Sequence, residues 1–401
     1  MTIGMILDGT FPYDPRVENE AISLINAGHQ VHLFCLTYVK GQPKYEVIDG
    51  INIHRVYLPK IFRSLSALTY TFPIYHIRLK KVLDDFFKTY DLNTIHIHDM
   101  QVARSVFWAL GKRNSIPVVL DLHENRPEIM KFYGHVKSFP GKCLISPKRW
   151  KKMEYRYIKK ADRVVVVTEE ARDYYVAETQ CNKDKFIVLP NTTRKSFYST
   201  FTINTEIEQK FADRFNILYV GETGYRRGLH TILDSIPLLK DTIPNIKVVI
   251  VGHSKDFPKL KSKIIDLGIE EYVSLEGWKD FKLFPSYIRS SQVCISPIHQ
   301  NPHHNSTFAN KLFQYMAFGR PVIVSDCMPQ ERIVNTHECG LVFHDRDPKD
   351  FSEKLLYLFH HPEKMVEMGE NGFKAVKEIY NWEQTSLGLL NYYHEEEKIR
   401  I

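Results

Sequence analysis

The sequence has no Asp or Glu anywhere from Phe281 to Ser325, although 47 acids occur in the chain as a whole. The gap spans the loop and helix-like segment "HHNSTFANKLFQYMAFG", so a ligand meeting that segment meets no carboxylate of its own stretch. Also absent is any C-x-x-C pair. The six cysteines, Cys35, Cys143, Cys181, Cys294, Cys327 and Cys339, are scattered, several in apolar runs, and read as reduced, buried thiols. No window of about 18 to 20 apolar residues exists, which excludes a membrane-spanning helix. The opening "MTIGMILDGTFPYDPR" has no basic leader and reaches Asp8 after a short apolar run, so it reads as a first strand and not a signal peptide. The expectation is a cytoplasmic protein, with the inner face of a membrane within its reach.

What is present points to two domains. A chain of 401 residues exceeds what one core usually organises, and 43% hydrophobic residues suffice for compact folding. The formal charge of +7 suits anionic small molecules, an anionic membrane surface or nucleic acid. No nucleic-acid module is recognisable, so nucleic acid is not expected as a partner. Short Val- and Ile-rich runs alternate with amphipathic stretches: "TIGMIL", "ENEAISLINAG", "QVHLFCL", then strands over Thr94 to His98, Ile116 to Leu122, Arg163 to Thr168 and Phe186 to Leu189. Their continuous apolar character fits parallel sheets covered on both faces. From Asn191 to Phe215 the chain turns polar. A second series follows: "NILYVG", "IKVVIVG", "YVSLEG", "VCISPI", "PVIVSD" and "GLVF". The fold class is therefore α/β, with two doubly wound Rossmann-like domains over residues 1–190 and 191–380, facing across a cleft. A final helical stretch, 381–401, is expected to pack back on the first domain.

Open parallel sheets bind ligands beyond the carboxyl ends of their strands, which draws attention to the residues directly after each strand. "GETGYRRGLHTIL" follows the strand "NILYV". Its glycines, Gly221, Gly224 and Gly228, permit close backbone approach, and Arg226 and Arg227 supply fixed positive charge, a combination suited to a diphosphate. A tight turn with two solvated arginines is the plain alternative. The spacing is not G-x-G-x-x-G, and none follows the first strand either, which disfavours an NAD-dependent dehydrogenase.

The acid-free segment has helix-start signals near Ser306 and Thr307, and Lys311 falls in its first turn, an unfavourable place for a cation unless an anion joins it. "IHIHDM" puts His96 and His98 on one strand face, where burial is the common fate. "DLHENRPE" gathers His123, Glu124 and Arg126 after a strand, with His123 the candidate polar group to face a reacting ligand. Asp345-x-Asp347 resembles a metal-binding pattern, but Asp347 before Pro348 reads as a helix cap, and no metal is expected. Two segments mix aromatic and basic residues, 61–90 and 131–160, and each reads either as a peripheral membrane contact or as an ordinary helix with a solvated face.

In order and character these segments resemble a GT-B glycosyltransferase, most closely glycosyltransferase family 4, whose members are retaining, metal-independent and nucleotide-sugar dependent. The resemblance rests on "FPYDPRVENEAISLINAGHQVHLFC", "HIHD", "DLHE", "VVVVTEEARDYY" and "KFIVLPN" in the first half. In the second half it rests on "ILYVGETGYRRGLHTILDSIPLL", "VVIVG", "LEGW" and "NKLFQYMAFGRPVIVSD". It implies catalytic roles for His123, Arg227 and Lys311. It implies donor contacts from Gly221, Arg226, Trp278, Ser306, Thr307, Phe308, Ala309, Asn310, Leu312 and Gln314, and acceptor-side positions at Gly9, Asp14, Arg16 and Glu124. The implied partners are a UDP- or GDP-linked sugar and a glycan or lipid-linked acceptor, in bacterial surface polysaccharide assembly. No cofactor is implied beyond the nucleotide-sugar co-substrate.

Three positions depart from the family pattern. Two glutamates separated by seven residues are replaced by Ser306 and Gln314, and an arginine after the glycine is replaced by Glu222. Gln314 retains hydrogen-bonding capacity through its amide, whereas Ser306 supplies no negative charge. These departures leave two other readings open: a catalytically degenerate binding or regulatory subunit, and a nucleotide-sugar 2-epimerase, which the acid-free loop opposes.

Overall fold

The computed structural model describes residues 1–12, 14–111 and 116–400. Tyr13, in the opening segment, and Ile401, in the last helical stretch, lie outside the described residues. The chain divides into two compact units: Met1–Pro190 together with the segment from Ser386 onward, and Asn191–Thr385.

The first unit is built on an eight-stranded sheet: β1 (Thr2–Leu7), β2 (Gln30–Thr37), β3 (Tyr45–Ile48), β4 (Ile51–Tyr57), β5 (Thr94–His98), β6 (Val118–Leu122), β7 (Arg163–Val166) and β8 (Phe186–Val188). Their spatial order is β3-β4-β2-β1-β5-β6-β7-β8, parallel except at β3. The strands expected at 94–98, 116–122, 163–168 and 186–189 are all present, most trimmed by one or two residues at an end. The hairpin β3–β4 is an addition. Its signal was in the sequence, an Asp49-Gly50 pair between β-branched runs, and both residues take the positive φ (50° and 80°) of a tight hairpin turn.

The helix Pro15–Asn26 starts where Asp14 accepts hydrogen bonds from the N–H groups of Arg16 and Val17, with proline at the first helical position. It buries Val17, Ala21 and Leu24 and carries Arg16 and Glu20 into the interior. The last helix, Leu387–Arg400, belongs to this unit. Tyr393 on it is fully buried, and its hydroxyl lies 2.8 Å from His96 Nδ1. Helix Pro147–Lys160 buries Trp150, Met153, Tyr157 and Ile158 and exposes Lys152, Lys159 and Lys160, whereas Phe132 and Phe139 earlier in the basic segment are exposed. The other mixed segment, in helices Ile61–Ser66 and Ile74–Thr89, buries Tyr75, Leu79, Leu83 and Phe86 but leaves Ile61, Phe72, Ile74 and Ile77 exposed.

The second unit holds six parallel strands: β9 (Phe215–Val220), β10 (Ile246–Val251), β11 (Val273–Gly277), β12 (Val293–Ser296), β13 (Val322–Ser325) and β14 (Gly340–Phe343). All six coincide with the second apolar series. The order β11-β10-β9-β12-β13-β14 reverses direction between β9 and β12, the crevice where such sheets bind ligands. Separate apolar clusters cover the two faces of this sheet, one around Ile217, Ile232 and Phe351, the other around Leu218, Phe313 and Ile333. The polar stretch 191–215 is not a bare linker. It forms helices Ser196–Ser199 and Thr205–Phe211, and Phe211 is buried in the second cluster. Of the six free cysteines, Cys35, Cys294, Cys327 and Cys339 are buried and Cys143 is exposed.

Removing the Tyr393 hydroxyl strands a buried imidazole nitrogen. Tyr393→Phe should destabilise the first unit by about 1–2 kcal/mol, read from its transition in urea. An unchanged midpoint would mean that the Tyr393–His96 bond contributes nothing.

Candidate functional site

Each unit presents polar groups at the carboxyl ends of its central strands. In the second unit, β9 runs into Gly221, whose φ of 129° allows the chain to turn sharply. The next glycine that matters is Gly228, at φ 73°, where an added Cβ would sit 1.6 Å from the Pro297 carbonyl oxygen. Only glycine lets the Arg226-Arg227 turn rest against the end of β12. Arg227 Nε donates to Glu222 Oε2 at 3.0 Å, so the acid standing where the resemblance implies an arginine is an ion-pair partner of Arg227. The half-buried Arg226 is tied to the loop after β12 through its carbonyl, which accepts from the His299 N–H at 2.9 Å.

That loop is anchored from two sides. Asp345 Oδ1 lies 2.6 Å from His299 Nδ1, and its Oδ2 accepts from the Gln300 N–H at 3.0 Å. Asp347 caps the helix Pro348–His360, accepting from the N–H groups of Lys349 and Asp350. The Asp345-x-Asp347 pattern thus serves as a loop anchor and a helix cap.

The helix start differs from expectation. Ser306 ends a 3-10 turn, and its hydroxyl lies 3.0 Å from the carbonyls of both Pro302 and His303. Thr307 is extended, and the helix begins only at Lys311, running to Met316. The hydroxyl at 306 bonds carbonyls of its own loop, and the helix N-cap position falls four residues later, at Asn310. Among the implied donor contacts, Thr307, Phe308 and Gln314 are half-buried, Asn310 is exposed, and Ala309 is buried. The Leu312 side chain is wholly in the core, and its N–H donates to the Ala309 carbonyl, so neither group is available to a ligand. Trp278, after β11, is 76% exposed, an indole with no packing of its own to lose.

Lys311 is the anomaly of this unit. It is 9% exposed, its Nζ has no hydrogen-bond partner, and the ammonium sits 3.5 Å from the centroid of the Tyr219 ring. Burial, followed by the neighbouring Arg227 charge, pushes its pKa well below the usual lysine range, against a smaller opposing effect of Glu222. A buried, unpaired ammonium is costly, and an anion placed against it would relieve the cost.

In the first unit a cavity of about 350 Å³ opens beyond β1, β5 and β6, lined by Asp8, Gly9, Asp14, Asp99, His123, Glu124 and Arg126, with His98 and Gln101. His123 and Glu124 thus share one site with Gly9 and Asp14. Arg16 does not. It is 6% exposed, donates to both oxygens of Asp121 at 2.8 Å and to the Leu189 carbonyl at 2.9 Å, and lies 3.0 Å from Glu20. Its place is beneath the cavity, because the helix that Asp14 caps turns that side chain inward.

The strand-end rule pointed in the sequence to Asp8 and Asp99 without giving either side chain a specific role, and it did not reach Gln101. Arg126 Nη1 lies 2.8 Å from Glu124 and 3.9 Å from Asp99, and its Nη2 donates to Gln101 at 3.0 Å. Asp99 holds a positive φ of 67°, a conformation non-glycine residues adopt at a cost and which clusters at functional sites. Asp8 accepts from the Tyr75 hydroxyl while its Oδ2 is buried without a partner. Burial raises its pKa to about 6, ahead of the opposing Tyr75 bond and Arg126 charge.

Ligand atoms of Glu20, His96, His98 and Asp121, all buried, fall within 4.8 Å of one another, a grouping that in other settings could hold a metal ion. Here the Arg16 guanidinium already supplies the positive charge between Asp121 and Glu20. Burial, then the Asp121 charge, raises the Glu20 pKa well above the usual range, and burial holds His96 far below its own. Glu20 Oε2 and His96 Nε2 lie 3.3 Å apart, both fully buried.

Comparison with known proteins places these two units. Residues 16–194 match the family model "Glycosyltransferase Family 4", and residues 201–375 match "Glycosyl transferases group 1". An uncharacterized glycosyltransferase of Methanocaldococcus jannaschii is 24% identical over 96% of both chains. Among solved structures, sucrose-phosphate synthase from Thermosynechococcus elongatus superposes with a TM-score of 0.76 at 18% identity, covering 98% of both chains. Anabaena HepE in complex with UDP gives 0.72 at 13% identity, covering 98% of this chain and 99% of that one.

Two outcomes follow from the buried charges. Lys311→Met should raise the stability of the ligand-free second unit by about 1–3 kcal/mol in chemical denaturation, since it removes an unpaired buried ammonium. A lower midpoint would show the ammonium to be satisfied. Asp8 has a folded-state pKa raised above its unfolded value, so its penalty is absent in acid and grows as pH rises through the interval from 3.8 to about 6. Asp8→Asn should therefore stabilise the first unit by about 1–3 kcal/mol near pH 8 and have little effect near pH 4. An equal effect at both pH values would remove the assigned titration.

Proposed function

We propose, from the premise that the chain is a GT-B glycosyltransferase resembling glycosyltransferase family 4, that it transfers a sugar from a nucleotide-sugar donor to a glycan or lipid-linked glycan with retention of configuration. The observation that carries the donor half of this reading is Lys311, whose buried ammonium has no anion of its own. Tyr219 forms one wall of that site, and Gly221 brings backbone within reach. The UDP held by HepE supports a uridine donor, with a guanosine donor as the other choice.

In this reading Lys311 and Arg227 stabilise the charge of the departing diphosphate, the largest catalytic contribution available to such a site. Gln314 offers its amide to the ribose hydroxyls and Trp278 its exposed face to the base. No enzyme nucleophile or metal is required if the leaving phosphate assists the incoming hydroxyl on one face of the sugar. On the first unit, His123 and the carboxylates around it offer hydrogen bonds to sugar hydroxyls. Ile61, Ile74 and Ile77, exposed beside Lys60, Arg63 and Arg78, support a peripheral contact with an anionic membrane, in keeping with a lipid-linked acceptor in bacterial surface polysaccharide assembly.

A second reading, a binding subunit without turnover, is favoured by two particulars: Ser306 turned into its own loop, and Arg227 already paired with Glu222. Calorimetry of UDP, GDP, ADP and CMP with their common sugar conjugates, run with chelator present, separates the two. The expected result is saturable binding of one nucleotide, weakened by about 100-fold or more in Arg227→Ala/Lys311→Met, which corresponds to about 2.7 kcal/mol. Binding by none of the four would move the chain to the second reading, and binding restored only by manganese would remove metal independence.

A further inference from the structure

β6 carries an acid through the middle of an apolar sheet. Asp121 is 0% exposed, with Leu120 and Leu122 on either side buried in the core. An isolated carboxylate there would be expensive, and the Arg16 fork accounts for it: Nε to Oδ2 and Nη2 to Oδ1, both at 2.8 Å. Burial alone would raise the Asp121 pKa. Arg16, then His123, outweigh it and hold the carboxyl far below the usual carboxylate range. A carboxylate that is ionised only accepts hydrogen bonds.

The same Oδ2 lies 3.1 Å from Nε2 of His123, two residues further along the chain. Nε2 must then carry the proton that Asp121 accepts. His98, held neutral chiefly by burial, sits 3.2 Å from that nitrogen through its Nδ1. Among the described residues Nδ1 of His123 makes no hydrogen bond, and the ring lines the cavity with 19% of its side chain exposed.

We infer that Asp121 and Arg16 are positioning residues for His123: the carboxylate fixes the proton on Nε2 and turns Nδ1 to the cavity, and the guanidinium keeps the carboxylate in the form that can do so. This rests on reading the cavity as the sugar-binding half of a glycosyltransferase. While neutral, His123 then presents a hydrogen-bond acceptor to a bound hydroxyl; once protonated, it presents a donor. Without Arg16, a buried Asp121 would take a proton, become a donor to Nε2, and shift the ring proton to Nδ1. The logic is that of a carboxylate which sets the tautomer of an adjacent imidazole without itself meeting substrate. The charged and titratable groups facing the ring are Asp121 and Arg16 beneath it, Asp14 at the cap of the first helix, and His98 and Asp99 at the end of β5. Asp121 outweighs burial and raises the imidazole pKa.

The test is nitrogen-15 NMR of the histidine rings in the full chain, with His123 assigned by its disappearance in His123→Gln. In the unaltered protein the neutral ring is expected as the Nε2–H tautomer, titrating above the ordinary histidine value of 6.5. An Nδ1–H tautomer, or a titration at or below that value, overturns the inference, and this measurement does not depend on any variant folding. In Asp121→Asn the amide can donate to Nε2, so the tautomer should reverse and the titration midpoint fall. Turnover should drop by roughly 10² to 10⁴ with nucleotide affinity unchanged. Arg16→Lys, which keeps the charge and loses the fork, should retain the tautomer and part of the rate, whereas Arg16→Gln, which removes the charge, should reverse the tautomer; an unchanged tautomer in Arg16→Gln would overturn the role of Arg16. Nucleotide binding in the same samples separates the two claims. Binding with the wrong tautomer defeats only this inference, whereas the right tautomer without nucleotide binding defeats the glycosyltransferase reading.

Discussion

Inside the first unit a guanidinium and a carboxylate meet in a two-point contact that the surrounding sheet would not tolerate as separate charges. Arg16 comes from the first helix and Asp121 from β6, and the Leu189 carbonyl at the far end of the unit takes a third guanidinium bond. Breaking such a pair by removing one member is strongly destabilising, because the other charge is left buried. The contact thus fixes the first helix, β6 and the end of β8 relative to one another. It connects to the cavity through His123, which lines the cavity and lies 3.1 Å from Asp121.

The second unit treats its buried cation in the opposite way. Lys311 lies over the Tyr219 ring without a carboxylate, close to a glycine that keeps the space beside it open. Burial disfavours its charge there, and in the proposed reading an anion arriving from outside makes good the deficit. The two cations differ in their surroundings: Arg16 is bonded to Asp121 and to the Leu189 carbonyl, whereas Lys311 Nζ has no hydrogen-bond partner.

Much of the architecture could be read from the chain because the parallel strands are buried on both faces and so appear as continuous apolar runs. All six strands of the second unit are visible in this way. The β3–β4 hairpin does not appear as a continuous apolar run because its half-exposed strands alternate more and less buried residues, although Asp49-Gly50 marked the turn. Lys311 stood out in the sequence as a cation in the first turn of a helix, and it is the first residue of that helix, which starts later than Ser306 and Thr307 imply. Burial of Arg16 was not legible, since only packing reveals which face of the helix after Asp14 turns inward. The same holds for Asp121, whose presence inside "VVLDL" was a clue that a buried partner had to come from somewhere distant in the chain.

In the proposed reading, the Glu222–Arg227 pair bears on how nucleotide leaves as well as how it arrives. An anion that engages Arg227 does so in competition with a carboxylate tethered five residues away, present at a fixed and high local concentration. Such a tethered rival weakens every phosphate ligand alike, yet it also reoccupies the guanidinium as soon as a spent nucleotide loosens. Where emptying the site limits the cycle, an internal competitor of this kind exchanges tightness for throughput.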